Sequence, residues 1–370
     1  MFPECLHALC LGGGKTILGV QVESTFPGSI KNHLGYINSQ LKSIRPPYTV
    51  ARITEELTNW RRLKGHQLLD WILIYSTPIL QEVLSDREDY FQHWILLVIS
   101  MHTLFKREIK LTEVATAKIL LNLFGRDLDS LYGDRILTYY MHQLSKHLAD
   151  YVEKWGPAWA NSAFPYESFN AFLARFIHGT KNVNQELVNN IQIYEGHLAL
   201  KSKFVDPVTP KKLEFRFKML GRPIDVSRIT DVTSVFLQKI IKLPPTPNNV
   251  RIHSRAEING IKYDSKLHKI LKTDTSHVHI VKKDREELYG IVESFINRDE
   301  DNFVHLRVLK IKHDEMIIHK ASQAVVSHIL PFEESPSEGL LDVTEISTIN
   351  PLIKVGKFIC KMPNHLRKVL

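Results

Sequence analysis

The stretch Trp155–Asn182, WGPAWANSAFPYESFNAFLARFIHGTKN, decides how the rest of the chain is read. Trp155-Gly156-Pro157 stops one helix, because glycine and proline interrupt helical hydrogen bonding. Pro165 stands where a first-turn proline is tolerated, and it opens a second helix carrying Glu167, Phe169, Phe172, Leu173 and Phe176. Gly179 is a natural stop for that helix. One acid concentrates the chemistry. Glu167 is set among Trp159, Phe164, Tyr166, Phe169 and Phe172, and a carboxylate in apolar surroundings must be paired, protonated or bound to a cation. The plainer alternative is a glutamate favoured by the dipole at a helix start and paired with Arg175, His178 or Lys181.

Upstream, from Ile53 to about His178, apolar residues recur at helical spacing, as in HQLLDWILIYSTPILQEVL, YFQHWILLVISMHTLF and LTEVATAKILLNLF. A further helix is expected over Ile136–Glu153. Downstream, LPPTPNN at Leu243–Asn249 has linker composition, and the period changes after it. Asn259-Gly260 between RAEI and IKY is a hairpin-turn signal. HVHIV, LYGIVESFI, FVHLRVLKI, QAVVSHIL and LIKVGKFIC then read as strands of a small barrel or sandwich, with Gly290 as a bulge.

The chain has 370 residues, enough for two or three cores, with 44% hydrophobic and 24% charged residues, which is a globular composition. No uninterrupted apolar run approaches the ~20 residues that cross a bilayer, so no membrane partner is expected. Cys5, Cys10 and Cys360 supply neither a disulfide framework nor paired metal knuckles. The net charge of +8 favours a polyanion, and ten Lys plus Arg against four Asp plus Glu between Lys201 and Val250 put six of those charges in one segment. Lys211, Lys212, Arg216 and Lys218 are its candidate DNA contacts.

Several other patterns read as structural. LGGGKT at Leu11–Thr16 has Leu9 where a phosphate-binding loop needs its first glycine, so a flexible turn is expected. Cys5, His7 and Cys10 lack a fourth metal ligand. Trp60, Trp71, Trp94, Trp155 and Trp159 fall on apolar helical faces and are expected in the core, whereas His313 and His319 are expected to face solvent. Tyr263, Tyr289, Phe295 and Phe303 supply the rings for an aromatic cage if they converge.

The string W-G-P-x-W-x-x-S-A-F-P-Y-E-S-x-N followed by H-G-T-K-N resembles the end of the catalytic domain of CACTA-type (En/Spm-like) DNA transposases. IRPPYTVAR at Ile44–Arg52, KGHQLLDWILIYSTPIL at Lys64–Leu80, LFGRDLDSLYG at Leu123–Gly133 and YYMHQLSKHLADYVEKWGP at Tyr139–Pro157 extend the likeness in order. ECLHALCLGGGKTIL resembles the family's acid-x-x-His segment, and the β-rich end resembles the trailing region of animal members.

The resemblance implies an RNase H-like nuclease in which three acids hold two Mg²⁺ or Mn²⁺ ions for strand transfer. Glu167 matches the last acid and Glu4, a glutamate in place of aspartate, the middle one, while the first is expected upstream of Met1. Lys64-Gly65-His66-Gln67 lacks that family segment's acid, and His142 and His147 stand five apart where four are expected, which argues against a shared ligand. The expected fold class is α+β. Residues 1–200 form a mainly helical, incomplete RNase H-like domain with a helical insertion, 201–250 a basic connector, and 251–370 a small β-barrel-like module. The expected function is a transposon-derived nuclear, otherwise cytoplasmic, protein that is catalytically inactive as this chain and retains DNA binding. The alternatives are a co-opted scaffold with a protein partner or homo-oligomer, and a nuclease completed by upstream sequence.

Overall fold

The computed structural model describes residues 5–50, 55–204, 215–224, 250–269, 272–299 and 301–362. Glu4, Lys211 and Lys212 lie outside the described residues. The chain is α+β: helices run as far as Phe204, and among the described residues no strand precedes Phe217. The helices are α1 (Lys15–Glu23), α2 (Leu34–Ser43), α3 (Gly65–Asp70), α4 (Ser76–Val83), α5 (Glu88–Leu104), α6 (Leu111–Arg126), α7 (Leu128–Tyr132), α8 (Tyr139–His142), α9 (Leu148–Trp155), α10 (Phe164–Leu173) and α11 (Val183–Phe204).

Three π-helical turns interrupt this array. Cys5–Gly14 leads directly into α1, Trp71–Tyr75 joins α3 to α4, and Gln143–His147 joins α8 to α9. The first corrects the expected flexible turn, because Gly12, Gly13 and Gly14 are buried inside a continuous helix. A Cβ at Gly12 would lie 2.5 Å from Tyr140 Cγ, one at Gly13 2.9 Å from Leu144 Cδ2 and one at Gly14 2.7 Å from Ile72 Cδ1. The glycines are there so that α8 and the α3–α4 helix can pack at backbone distance. Residues 5–23 are long and apolar enough for a membrane span, yet 72% of the window is buried within the fold, as in a core helix.

Ten strands follow: β1 (Phe217–Leu220), β2 (Val250–His253), β3 (Arg255–Ile258), β4 (Ile261–Asp264), β5 (His277–Lys282), β6 (Glu287–Arg298), β7 (Asp301–Ile311), β8 (Ile329–Asp342), β9 (Ile346–Val355) and β10 (Phe358–Lys361). The order β6-β5-β9-β10-β8-β7 closes on itself through the β6–β7 pairing, which makes a six-stranded barrel, and β2 adds to β6. Closure removes the open edges that would invite aggregation. Asn259 and Gly260 both have positive φ, 51° and 78°, so the expected tight turn joins β3 to β4. With β1 these strands form a small sheet whose Ala256, Ile258 and Tyr263 cover the barrel residues Val278, Ile280 and Val292. The β6 bulge falls between Val292 and Ser294, not at Gly290, whose missing side chain instead spares a contact 3.0 Å from the Arg307 carbonyl.

The barrel is stitched to the helices. Ile329, Ile353, Val355, Phe358 and Cys360 belong to the same buried cluster as Trp71, Trp94 and Leu97. Each such aliphatic side chain contributes roughly 1.5–3 kcal/mol when fully buried. The expected strand at QAVVSHIL is mostly a docking turn, with β8 starting only at Ile329. Its His328 bonds through Nε2 to the Leu73 carbonyl at 2.7 Å and stacks on His102 with ring centroids 3.8 Å apart. Burial depresses both imidazoles, His328 to about 4, so the stack is between neutral rings. His319 is buried as well, contrary to expectation, because its Nδ1 lies 2.7 Å from Ser322 Oγ within the same turn region. His313 is exposed as expected.

Asp70 is 1% exposed, and its Oδ1 has no hydrogen-bond partner. Burial raises its carboxyl well above the ordinary value, so the folded chain holds a proton that the unfolded chain releases. The stability this group allows is complete below the unfolded carboxyl value and falls as pH rises toward the folded one. Asp70→Asn is therefore expected to raise the melting temperature more at pH 8 than at pH 5, with a gain on the order of 1–3 kcal/mol at the higher pH. An equal effect at both pH values, followed by thermal denaturation, would contradict this assignment.

Candidate functional site

Helix α10 begins as the sequence suggests, with Pro165 in its first turn and Glu167 behind it. The apolar setting expected for Glu167 is absent. None of the α10 residues is buried, Tyr166 is 73% and Phe169 56% exposed, and Phe172 turns instead toward Phe176 and Tyr194, at ring distances of 4.9 and 5.2 Å. Trp155, expected in the core, is 61% exposed because α9 ends there, while Trp71 and Trp94 are fully buried.

The partner of Glu167 is His7, whose Nε2 lies 3.6 Å from Glu167 Oε1. His178 takes another role: its backbone N–H, with that of Gly179, donates to the Glu186 carboxylate at 2.9 and 3.1 Å and holds it below the ordinary carboxylate value. His7 was missed as the partner because 160 positions separate it from Glu167, and only the fold of the π-helical segment over α10 brings them together.

Beside this pair runs an open groove of 980 Å³. Leu11 and Lys15 come from the glycine-rich helix, Arg61, Arg62 and Lys64 from the approach to α3, His66 from the first turn of α3, and Phe164, Glu167 and Ser168 from the start of α10. Lys15 Nζ donates to the Arg61 carbonyl at 2.7 Å, and Arg61 lies over the Trp60 ring at 4.9 Å while pairing with Glu23 at 2.6 Å. Arg62 and Lys64 are exposed and form no ion pair with a described residue. These cations, unlike the connector, were not singled out by composition, although Arg61-Arg62-Leu63-Lys64 is a short basic run.

Arg216 and Lys218 are placed elsewhere, at β1. The Arg216 N–H donates to Asn259 Oδ1 at 2.9 Å, Lys218 stands opposite Glu257, and neither lines the groove. Of the four candidate cage rings, Tyr263 and Phe295 are buried in one cluster whereas Tyr289 and Phe303 belong to two others, so they do not converge. Ser294 Oγ, His305 and Glu338 Oε2 line up at 3.2 and 3.1 Å as in a hydrolase, but the serine is fully buried in the barrel wall and has no access to a substrate.

Among the described residues no group of three or more His, Cys, Asp or Glu side chains is placed to hold a metal ion. Two exposed histidines do meet, as a hydrogen-bonded pair. The π turn Gln143–His147 closes i to i+5, so His142 and His147 meet with their Nε2 atoms 3.1 Å apart although five positions separate them. Two metal–nitrogen bonds of ~2.0–2.1 Å span that gap at an angle of about 100°. No protein family, curated protein or solved structure matches this chain.

Titration calorimetry of the untagged chain with Zn²⁺ is expected to give one site that His147→Ala weakens at least tenfold, with the helical circular-dichroism signal retained. Binding unchanged in the His142→Ala/His147→Ala double variant would rule the pair out.

Proposed function

We propose that this chain derives from a CACTA-type DNA transposase and acts as a DNA-binding protein that does not cut DNA by itself. The observation that carries this reading is the groove, where Lys15, Arg62 and Lys64 line a surface beside Glu167 at the start of α10. Phosphates are recognised by such clustered cations, and counterion release makes the binding salt-dependent. The helical half corresponds on this reading to the insertion-bearing part of an RNase H-like domain, and a DNA ligand puts its work in the nucleus. Glu167 is the surviving acid of a Mg²⁺ or Mn²⁺ site. Strand transfer by paired ions needs a cluster of carboxylates, and no group of three such ligands forms among the described residues.

A second reading, a co-opted scaffold, is favoured by one specific feature. Helix α11 exposes Ile193 and Leu200, seven residues apart on one face, as apolar contacts suited to a protein partner or a second copy.

In fluorescence anisotropy with labelled DNA, the affinity is expected to fall with salt, and Arg62→Ala and Lys64→Ala each to reduce the log–log slope by about one. Glu167→Gln removes a like charge and is expected to tighten metal-free binding ~2- to 5-fold. No Mg²⁺- or Mn²⁺-dependent cleavage of transposon-end DNA is expected. Cleavage abolished by Glu167→Gln would overturn the non-catalytic part of the proposal, and salt-independent binding to a protein alone would favour the scaffold.

A further inference from the structure

Resting on the reading of the groove as a nucleic-acid site, we infer that its ligand is an unpaired strand and that the His66–Phe164 ring pair is the platform for its bases. The groove differs from a surface that merely attracts phosphate. Its wall contains two half-buried rings in contact, with centroids 4.0 Å apart and planes tilted by 39°. Gly65 makes that contact possible, since a Cβ there would lie 2.3 Å from Leu6 Cδ1 and 2.9 Å from Phe164 Cε1. Leu11, also in the wall, is 38% exposed and adds a further apolar side chain to it.

The charges in the wall carry the second part of the argument. Lys15, Arg61, Arg62 and Lys64 share it with the carboxylates of Glu55 and Glu167. A duplex keeps its bases paired and stacked inside the helix, so it offers the wall phosphates and groove edges and leaves the rings unused. An unpaired strand is free to rotate its phosphates toward Lys15, Arg62 and Lys64 while its bases lie on His66, Phe164 and Leu11. Cations along a backbone track with aromatic faces for successive bases are the general solution for binding single strands without reading sequence.

The test compares a labelled twelve-residue oligothymidylate with a twelve-base-pair duplex in anisotropy titrations on the full chain at two salt concentrations. The single strand is expected to bind at least tenfold more tightly. His66→Ala is expected to weaken single-strand binding about 5- to 100-fold, the range for loss of one stacked base, and to leave duplex binding within about twofold. Phe164 also packs against the core, so Phe164→Leu is accompanied by thermal denaturation, and His66→Ala decides the matter if that variant fails to fold. Duplex bound as tightly as the single strand, or both weakened equally by His66→Ala, overturns this inference and leaves the DNA-binding reading standing. Binding of neither ligand overturns both.

Discussion

Two backbone carbonyls hold the halves of this molecule together. At the π turn Trp71–Tyr75, the Leu73 carbonyl accepts from His328 Nε2 at 2.7 Å and the Ile74 carbonyl from Cys360 Sγ at 3.9 Å. Pro78, inside α4, has no N–H to give to the carbonyl four residues back, so Ile74 lacks its helical donor and is open to one from the barrel. The barrel side chains Ile353, Val355 and Phe358 then close the apolar surface around those bonds, along with Trp71 and Leu73. Since the same helix begins at Gly65, where the groove wall lies, docking of the barrel at one end and placement of Lys64 and His66 at the other are fixed by one continuous element.

The glycine run performs the corresponding task on the opposite wall. Gly12 and Gly13 let the first helix settle against Tyr140 and Leu144, and this contact sets the height at which His7, Leu11 and Lys15 face α10. The two π turns at 5–14 and 143–147 therefore meet near the site, in keeping with the frequent use of such turns where function requires side chains off the regular helical track. The elements carrying the groove differ in their anchoring: the glycine-rich helix is deeply buried, whereas α10 has no buried residue. Of the two walls, α10 is the one free to adjust to a ligand at little cost in packing.

Much of this architecture was legible in the sequence because it follows from periodicity. The buried faces of α5 and α6, the hairpin at Asn259-Gly260, and the helix opened at Pro165 all follow local rules of spacing, turn chemistry and proline placement. What escaped depended on register or distance. A π turn shifts a helix by one residue without altering its composition, so His142 and His147 read as mismatched when they are in fact juxtaposed. Strand β8 includes Glu333, Glu334, Pro336 and Glu338, which argue against a strand, and the barrel accepts them through a bulge where Leu309 faces Glu334 and Arg307 faces Glu338. The resemblance to a transposase pointed to Glu167, but its link to His7 exists only in the folded chain.

The exposed position of Glu167 changes what that residue means. Deep in an apolar pocket, a carboxylate demands a cation to be stable, and its mere presence argues for a metal. At 54% side-chain exposure the charge is solvated, so the fold imposes no such demand and the residue persists at little energetic cost with or without catalysis. The acid nevertheless sits among Lys15, Arg61, Arg62 and Lys64, where it opposes any polyanion that enters. Divalent cations reverse that opposition by bridging carboxylate and phosphate. On the DNA-binding proposal, the sign of the effect of Glu167 on affinity, unfavourable without such ions and favourable with them, therefore separates a groove that merely holds nucleic acid from one that recruits a metal to it.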